Sequence, residues 1–413
     1  MVKTPSLIAG LCGILGLAGG ANAQGQGYLL DAAAKGPANA VCLDGTPGGY
    51  YLSAGSGDGA SKWYIHMEGG GWCRSAHDCL GRSSSDLGSS SGWPANQTAQ
   101  AMAGQSGAMR RDPISNPQMH DWNHVWIMYC DGNSFTGANA SATAVPTDGK
   151  GGSKTLHWRG SAILDAVIDD LVGPRGVGGA SDVVVGGGSA GGLAVLLHCD
   201  RWTERLLAAA AAAAAAASGA SGNDGGGGDA NANAMRVRCL ADSGFFLDHE
   251  GPPEPPRFPD YGYHAGMVWA YAQMNSSAGV DATCAAHYGP RGEGWKCNFA
   301  QYTTAFSDAP VFARQSTYDS WQTQHVLGFP DNATLINEFG ANLTALLHGS
   351  LLAQPQHAAF VDSCSHHCGE WDQIRIDGQV VHEAFWGWYN GSSSPKSVWT
   401  QGKAFPCDSC CKP

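Results

Sequence analysis

Short apolar runs recur along the chain, separated by polar and glycine-rich segments. Each run is rich in β-branched or aromatic side chains, which is typical of buried strands. The runs are Trp63–Met67, His124–Tyr129, Asp182–Val185, Arg236–Leu240, Pro310–Ala313 and Ala358–Val361. We therefore predict a strand at each of these positions.

Segments with helical spacing of apolar residues lie between these runs. In Leu156–Val172 the apolar residues recur at the helix period, and another helical segment begins at Leu193. Short apolar strands alternating with helices indicate a mostly parallel sheet covered by helices on both faces. The pattern predicts one α/β domain with long loops.

Three segments depart from this pattern. Residues 1–23 combine a basic start, an apolar core and a small-residue cleavage site, which is typical of a secretory signal peptide too short to span a membrane. Residues 24–40 are expected to form a flexible lead-in to a domain over 41–413. Residues 208–234, an alanine run followed by glycine, serine and asparagine, indicate a low-complexity insertion that lengthens the preceding helix.

Cysteine content and charge restrict the class of protein. Of 14 cysteines, one lies in the signal peptide, and the others predict about six disulfides and one odd thiol in an oxidising compartment. No pair of C-x2-C motifs has zinc-finger spacing, so we expect no metal. The net charge of −12, without a basic run, argues against nucleic acid. The N-x-[ST] sequons suit a secreted glycoprotein: Asn96, Asn139, Asn275, Asn332, Asn342 and Asn390.

A single serine follows the third apolar run, in VVVGGGSAGG over residues 183–192. Ser189 has the G-x-S-x-G pattern of a nucleophile elbow, in which a strained strand-to-helix turn exposes the hydroxyl. The alternative is a glycine-rich turn with an incidental serine, since the chain holds 59 glycines. The apolar strand before Ser189 and the apolar helix after it favour the nucleophile.

A serine nucleophile needs a base and a carboxylate that orients the base, and α/β-hydrolases supply them in the order Ser, Asp or Glu, His. Downstream of Ser189, PVFARQSTYDSW places Asp319 after an apolar run. AAFVDSCSHHC places His366 and His367 after another run, on a short loop between two cysteines. The alternative carboxylates are Asp308 and Asp331.

Donors for an oxyanion are expected in WYIHMEGGGWC over residues 63–73, where an apolar run ends in three glycines. Backbone without side chains there can turn its N–H groups toward a substrate oxygen. The N–H of Ala190, directly after the nucleophile, would supply the second donor. Trp72 follows the glycines and would border one side of the site.

Several segments, taken together and in order, resemble plant pectin acetylesterases, which share a superfamily with the animal Wnt deacylase Notum. They are EGGGWC (68–73), MYCDGNSFTG (128–137), LHWRG (156–160), GGSAGG (187–192), HCD (198–200), LADSGFFLD (240–248) and SCSHHC (363–368). The resemblance covers about residues 40–411. This chain departs from the family pattern at Gly188, where plant members usually have cysteine, and at the insertion over 208–234.

The resemblance implies an α/β-hydrolase fold and a site without metal or organic cofactor. The family's histidine directly precedes the second cysteine, which selects His367, whereas His366 stands where a small residue is usual. The implied triad is Ser189, Asp319 and His367. The implied oxyanion hole is Gly70, Gly71 and Ala190.

The resemblance further implies a secreted, monomeric serine esterase that removes acetyl groups from cell-wall polysaccharide, with pectin as the leading substrate. A Notum-like esterase acting on a longer acyl chain is the alternative, although EGGGWC in place of the animal EGGWYC favours acetyl. A catalytically dead wall-binding protein and a serine peptidase are further alternatives. Pectin and the chain are both anionic. Either a local basic strip, formed by Arg74, Arg82 or Arg159, binds pectin, or the substrate is a neutral acetylated glycan.

We also expect disulfides that attach the loops to this fold. The expected pairs are Cys42–Cys130, Cys73–Cys79, Cys199–Cys239 and Cys284–Cys297. The C-terminal cysteines, Cys407, Cys410 and Cys411, are expected to reach back to the loop that holds Cys364 and Cys368. Of these pairs, Cys73–Cys79 is the most local, directly after the oxyanion glycines.

Overall fold

One ten-stranded sheet forms the centre of the molecule, and a separate two-stranded hairpin lies beside it. The computed structural model describes residues 25–147, 151–220, 235–250, 262–328, 331–369, 371–391, 397–407 and 409–411. The expected signal peptide and the part of the insertion after residue 220 lie outside these ranges. In chain order the strands are β1 Gly25–Leu29, β2 Gly49–Ser53, β3 Lys62–Met67, β4 Asn96–Gln97, β5 Asn123–Ile127, β6 Asn139–Pro146, β7 Ser153–Trp158, β8 Asp182–Gly188, β9 Arg236–Asp242, β10 Val311–Ser316, β11 Ala358–Asp362 and β12 Val398–Thr400.

The order in the large sheet is β12-β11-β10-β9-β8-β3-β5-β2-β1-β4. From β12 to β5 every neighbouring pair is parallel, whereas β2, β1 and β4 are joined antiparallel. The helices are α1 Asp31–Lys35, α2 Ala76–Arg82, α3 Ala99–Ala103, α4 Gly160–Val172, α5 Ala190–Ala220, α6 Tyr263–Gln273, α7 Ala282–Tyr288, α8 Ala300–Thr303, α9 Ser320–His325, α10 Ala333–Gly349 and α11 Val381–Tyr389. The predicted class, a mostly parallel α/β sheet flanked by helices, is confirmed.

All six predicted strands are present, as β3, β5, β8, β9, β10 and β11. Their apolar side chains lie in two large buried clusters, with Ile65, Val125 and Val183 in one and Val184 and Phe312 in the other. Adjacent residues such as Val183 and Val184 therefore face opposite sides of the sheet, since side chains alternate along a strand. Burial on both faces explains why these runs are continuously apolar.

The predicted helix over Leu156–Val172 is wrong at its start. Residues up to Trp158 belong to β7, and α4 begins at Gly160. Leu156 and Trp158 are two residues apart and both buried in a small cluster with Val145 of β6, so they line one face of the hairpin. Helical and strand spacing coincide over so short a stretch, and the pairing of β7 with β6 selects the strand.

The lead-in expected over 24–40 contains β1 and α1 within its described residues, 25–40. β1 pairs with β2 on one side and β4 on the other, so its backbone groups are satisfied by neighbours. A Cβ at Gly27 would lie 2.9 Å from the carbonyl oxygen of Ala95. This close packing explains the glycine in β1, although glycine generally weakens a strand.

The alanine run after Leu207 continues α5, which extends to Ala220. Alanine has the highest helix propensity, so the extension costs little free energy. Among the described residues, no helix has both the length and the apolar character needed to cross a bilayer.

Six disulfides are present among the described residues. The four expected pairs are confirmed, as Cys42–Cys130, Cys73–Cys79, Cys199–Cys239 and Cys284–Cys297. At the C-terminus only Cys411 reaches back, to Cys364, whereas Cys407 pairs with Cys410. Cys368 is buried and is not part of these six pairs. The Cys364–Cys411 bond attaches the histidine-bearing loop after β11 to the C-terminal segment.

Candidate active site

Ser189 lies in the sharp turn between β8 and α5. Its φ of 58° falls in the left-handed region, which is strained for a residue with a side chain. The turn is held from both sides, because the N–H of Ser189 donates to Asp242 O at 2.9 Å and its carbonyl accepts from Leu193 at 2.9 Å. This strained geometry projects the hydroxyl from the carboxyl end of the sheet.

Glycines around the turn allow three backbone segments to pack against one another. A Cβ at Gly191 would lie 2.0 Å from the carbonyl oxygen of Met67, at the end of β3. A Cβ at Gly69 would lie 2.4 Å from Gly188 O and 2.9 Å from the Ser189 Cβ. Any side chain at Gly69 or Gly191 would displace from Ser189 the loop of residues 69–71, which we call the glycine loop.

Ser189, His367 and Asp319 form a continuous chain of contacts, although 178 residues separate the serine from the histidine. The Ser189 Oγ lies 2.8 Å from His367 Nε2, and His367 Nδ1 lies 2.8 Å from Asp319 Oδ2. A proton on Nδ1 donates to the carboxylate and leaves Nε2 as an acceptor for the serine hydroxyl. The alternative carboxylates, Asp308 and Asp331, are exposed.

Asp319 is placed by the start of α9, a short turn after the end of β10. Its Oδ1 accepts the N–H of Gln322 at 2.9 Å, which caps the helix and leaves Oδ2 for the histidine. The side chain is fully buried. The carboxylate is therefore held in one orientation by the helix that it caps.

The glycine loop after β3 is held by donors from other parts of the chain. Gly70 and Gly71 have φ of 137° and 70°, values that favour glycine. The Arg82 guanidinium donates to Gly70 O at 2.8 Å, and the Tyr129 hydroxyl donates to Gly71 O at 2.8 Å. Because each peptide is planar, fixing these carbonyls also fixes the N–H groups of Gly71 and Trp72.

Ser134 links this loop to the start of α5, the helix that follows Ser189. The Trp72 Nε1–H donates to Ser134 Oγ at 2.7 Å, and the Ser134 hydroxyl donates to Ala190 O at 2.8 Å. The N–H of Ser134 donates to the Tyr129 hydroxyl at 3.0 Å. The sequence reasoning missed Ser134 and Tyr129 as supporting residues, although their segment, MYCDGNSFTG, directly follows the end of a strand.

Arg82 and Arg159 were candidates for a basic strip, but both hold backbone carbonyls. Arg82 contacts the glycine loop, and Arg159 donates to Ala38 O at 2.6 Å and Asn39 O at 3.2 Å. A guanidinium engaged in this way is a structural support. These contacts occupy guanidinium N–H groups that would otherwise be available to a polyanion.

Four aromatic side chains form a wall beside His367, which we call the aromatic wall. Trp72 packs edge-on against Phe246, Tyr263 and Trp321, with ring centroids 4.8, 5.5 and 5.6 Å away. Phe246 and Trp321 lie 6.0 and 6.2 Å from the His367 ring. The surroundings of the reactive pair are thus bulky and apolar on this side.

Glu68 directly precedes the glycine loop. Burial raises the pKa of its carboxyl to about 8, in spite of the hydrogen bond that it accepts from the Tyr129 N–H at 2.9 Å. At neutral pH the carboxyl is therefore mostly protonated. No carboxylate charge then opposes the negative charge that an oxyanion would bring to the adjacent loop.

No group of three or more His, Cys, Asp or Glu side chains in the described ranges is arranged to hold a metal ion. The assembled residues offer a hydroxyl, an imidazole, a carboxylate and backbone N–H groups, which are the groups that covalent acyl transfer can use. That the protein needs neither metal nor cofactor stays a prediction.

Comparison with known proteins agrees with the resemblance in the sequence. Residues 22–223 and 229–412 match the family described as Pectinacetylesterase. Pectin acetylesterase 5 of Arabidopsis thaliana is 31% identical, over 90% of this chain and 82% of its own length. The palmitoleoyl-protein carboxylesterase NOTUM of Mus musculus is 27% identical, over 84% of this chain and 63% of its own length.

A solved structure shares the fold. The structure of the Wnt deacylase Notum from Drosophila has a TM-score of 0.69 against this chain at 24% identity, and the match covers 92% of this chain and 98% of that one. At this identity the likeness shows the fold alone, whereas the family match extends over nearly all of the sequence. This protein is therefore a carboxylesterase that belongs to the pectinacetylesterase family, to which Notum is related.

Proposed function

We propose that this carboxylesterase removes O-acetyl groups from cell-wall polysaccharide, with pectin as the substrate and with Ser189, His367 and Asp319 as its triad. The proposal rests chiefly on the two successive 2.8 Å contacts from Ser189 Oγ through His367 to Asp319. They connect a hydroxyl on a strained turn to a base and a buried carboxylate, which is the arrangement that acyl transfer needs. A dead wall-binding protein would not require it.

In the first half of the proposed reaction, Ser189 attacks the acetyl carbonyl carbon and His367 Nε2 takes the hydroxyl proton. Asp319 stabilises the resulting imidazolium and keeps the ring in the required tautomer. The N–H groups of Gly70, Gly71 and Ala190 would stabilise the tetrahedral oxyanion. The imidazolium then gives its proton to the departing sugar oxygen, which leaves an acetyl-serine.

In the second half, water attacks the acetyl-serine as His367 removes its proton. Collapse of the second tetrahedral intermediate breaks the bond to Ser189 Oγ, and the imidazolium returns a proton to the serine. Acetic acid leaves and ionises in water to acetate, and the enzyme is restored. No group other than this chain's own residues and water takes part in the proposed cycle.

The choice of pectin is supported by the name of the Arabidopsis relative, Pectin acetylesterase 5. Electrostatics do not favour a polyanion, because the chain carries a net charge of −12 and Arg82 and Arg159 are engaged with backbone carbonyls. We therefore propose that the site binds the acetylated sugar through its hydroxyls and ester group. The six disulfides agree with the proposed export to the cell wall.

The direct test of substrate is acetate release from acetylated pectin, compared with release from a neutral acetylated glycan such as acetylated xylan. We expect the wild-type protein to release acetate from pectin faster than from the neutral polymer at equal acetyl concentration. Chemically deacetylated and re-acetylated pectin controls for impurities in the polymer. Acetate release from the neutral glycan alone would contradict pectin as the substrate, but it would agree with the proposed acetylesterase activity.

The acyl chain length that the site accepts separates this proposal from the Notum-like alternative. We expect the rate on aryl esters to fall steeply from acetate to butyrate and to be negligible by octanoate, because the aromatic wall stands beside the reactive pair. A methylene that fits an apolar pocket gains about 0.8 kcal/mol, whereas one that clashes loses more. The measurement is kcat/KM for a series of p-nitrophenyl esters.

A variant of the aromatic wall provides the control for this series. Trp321→Ala should raise the rate on butyrate relative to acetate, whereas Trp388→Ala should not. Trp388 packs against Phe312 in the other core cluster, away from His367. A wild-type profile that is flat, or that rises toward octanoate, would favour the long-chain alternative.

A further inference from the structure

We propose that His366, the neighbour of the base, is a positioning residue: its imidazole joins Arg314 to Asp362 and so holds the loop that carries His367 against the turn that carries Asp319. This inference rests on the proposed function of the site. His366 has no part in the proton transfers described above.

The contacts of the imidazole run in two directions. His366 Nε2 lies 2.9 and 3.1 Å from the two carboxylate oxygens of Asp362, and Arg314 Nη2 lies 3.2 and 3.3 Å from the two ring nitrogens. Arg314 Nη1 donates to Asp242 Oδ1 at 2.9 Å. A neutral imidazole can donate from Nε2 to Asp362 while Nδ1 accepts from Arg314. A chain of side chains thus joins the ends of β9, β10 and β11.

Burial makes each of these links necessary. Arg314 is 1% exposed and Asp362 is 0% exposed, so neither charge is solvated by water. Burial alone would raise the pKa of Asp362, but His366 and Arg314 outweigh it and hold that pKa below its usual range. Without His366, Asp362 would keep the Cys364 N–H, 3.0 Å away, as a donor, but it would lose its side-chain partner. An incompletely paired buried charge forces its surroundings to move.

Asp242, at the end of β9, and Ser243, directly after it, hold the loop immediately after His367. Asp242 Oδ2 accepts the N–H of Gly369 at 2.9 Å, and Ser243 Oγ accepts the N–H of Cys368 at 2.9 Å.

The backbone of His366 adds a link to the carboxylate. Its carbonyl accepts the N–H of Ser320, directly after Asp319, at 3.1 Å. A movement of His366 would therefore change the distance between Asp319 and the base.

We expect His366→Ala to lower kcat about 10- to 100-fold with KM changed less than about twofold, because a displacement near 1 Å slows catalysis on this scale while substrate contacts are kept. His366→Gln should recover most of kcat, since its amide can both donate to Asp362 and accept from Arg314. His348→Ala, at an exposed histidine of α10, is the matched control and should behave as wild type.

The experiment measures kcat and KM on an aryl acetate, and the rate of covalent labelling of Ser189 by a fluorophosphonate, well below each variant's Tm. Slow turnover and slow labelling in His366→Ala, restored in His366→Gln, support the proposal. Wild-type kcat in folded His366→Ala overturns it, and so does equal slowness in both variants.

Two further arms keep the test decisive. If His366→Ala does not fold, His366→Ala with Asp362→Asn removes the buried charge; we expect this double variant to fold and stay slow, and a wild-type kcat would overturn the proposal. Failure of the proposed function has a different signature, because Ser189 of the wild type would then resist the fluorophosphonate.

Discussion

Replacing Ser189 by alanine is expected to lower kcat for acetyl-ester hydrolysis by about 10⁴-fold or more while the fold stays intact. The substitution removes one hydroxyl and keeps the Cβ, so the strain at a φ of 58° is unchanged. The residual rate would come from the oxyanion donors and from binding alone. Acetate release and the thermal unfolding midpoint should be measured on the same preparation.

The control for this prediction is Ser153→Ala, which removes an exposed hydroxyl from β7 and should leave the rate unchanged. A Ser189→Ala enzyme with a tenth of the wild-type rate and a normal Tm would show that Ser189 is not the nucleophile. The expected loss is larger than any effect predicted for His366, so the two roles can be separated.

Asp319→Asn is expected to lower kcat by about 10⁴-fold with little change in structure. The amide can donate to His367 Nδ1, which forces the ring proton onto Nε2 and removes the acceptor that Ser189 needs. The cap on α9 should persist, because the Asn side-chain oxygen can still accept the Gln322 N–H. The assay is kcat on an aryl acetate, with circular dichroism to check the fold.

Asp308→Asn provides the comparison, because Asp308 is the exposed alternative carboxylate before β10. It should keep wild-type activity. A tolerated Asp319→Asn together with an inactive Asp308→Asn would move the carboxylate role to Asp308. His367→Ala should be as impaired as Ser189→Ala, since the triad acts as a unit.

The strands and the turn at Ser189 could be predicted from local sequence because their causes are local. A run such as Val183–Val185 is buried on both faces, and its continuous apolar character follows from that burial. Glycine is needed at the turn itself, because a Cβ at Gly187 would lie 2.2 Å from Gly191 O, four residues away. The start of α4 could not be predicted in this way, because apolar residues at Leu156 and Trp158 fit either a strand or a helix. Pairing with β6 makes this stretch a strand.

The candidate site residues were named from the order of motifs, but order does not supply distance. His367 comes within 2.8 Å of Ser189 only because the parallel order of β8, β9, β10 and β11 brings the ends of distant segments to one edge of the sheet. Two adjacent histidines, both after β11, face different partners there: His367 contacts Asp319, and His366 contacts Asp362. Successive side chains on a loop point in different directions, and only the residues packed around the loop determine which histidine contacts which carboxylate.

By itself the sequence determined the α/β class, the six buried strands and the turn at Ser189, because apolar periodicity and glycine spacing act over a few residues. The tertiary structure alone decided what the charged and polar side chains do. Arg82 holds the glycine loop, and Ser134 ties that loop to Ala190. A guanidinium or hydroxyl can bind many partners, and its actual partner is whichever acceptor the folded chain places within about 3 Å.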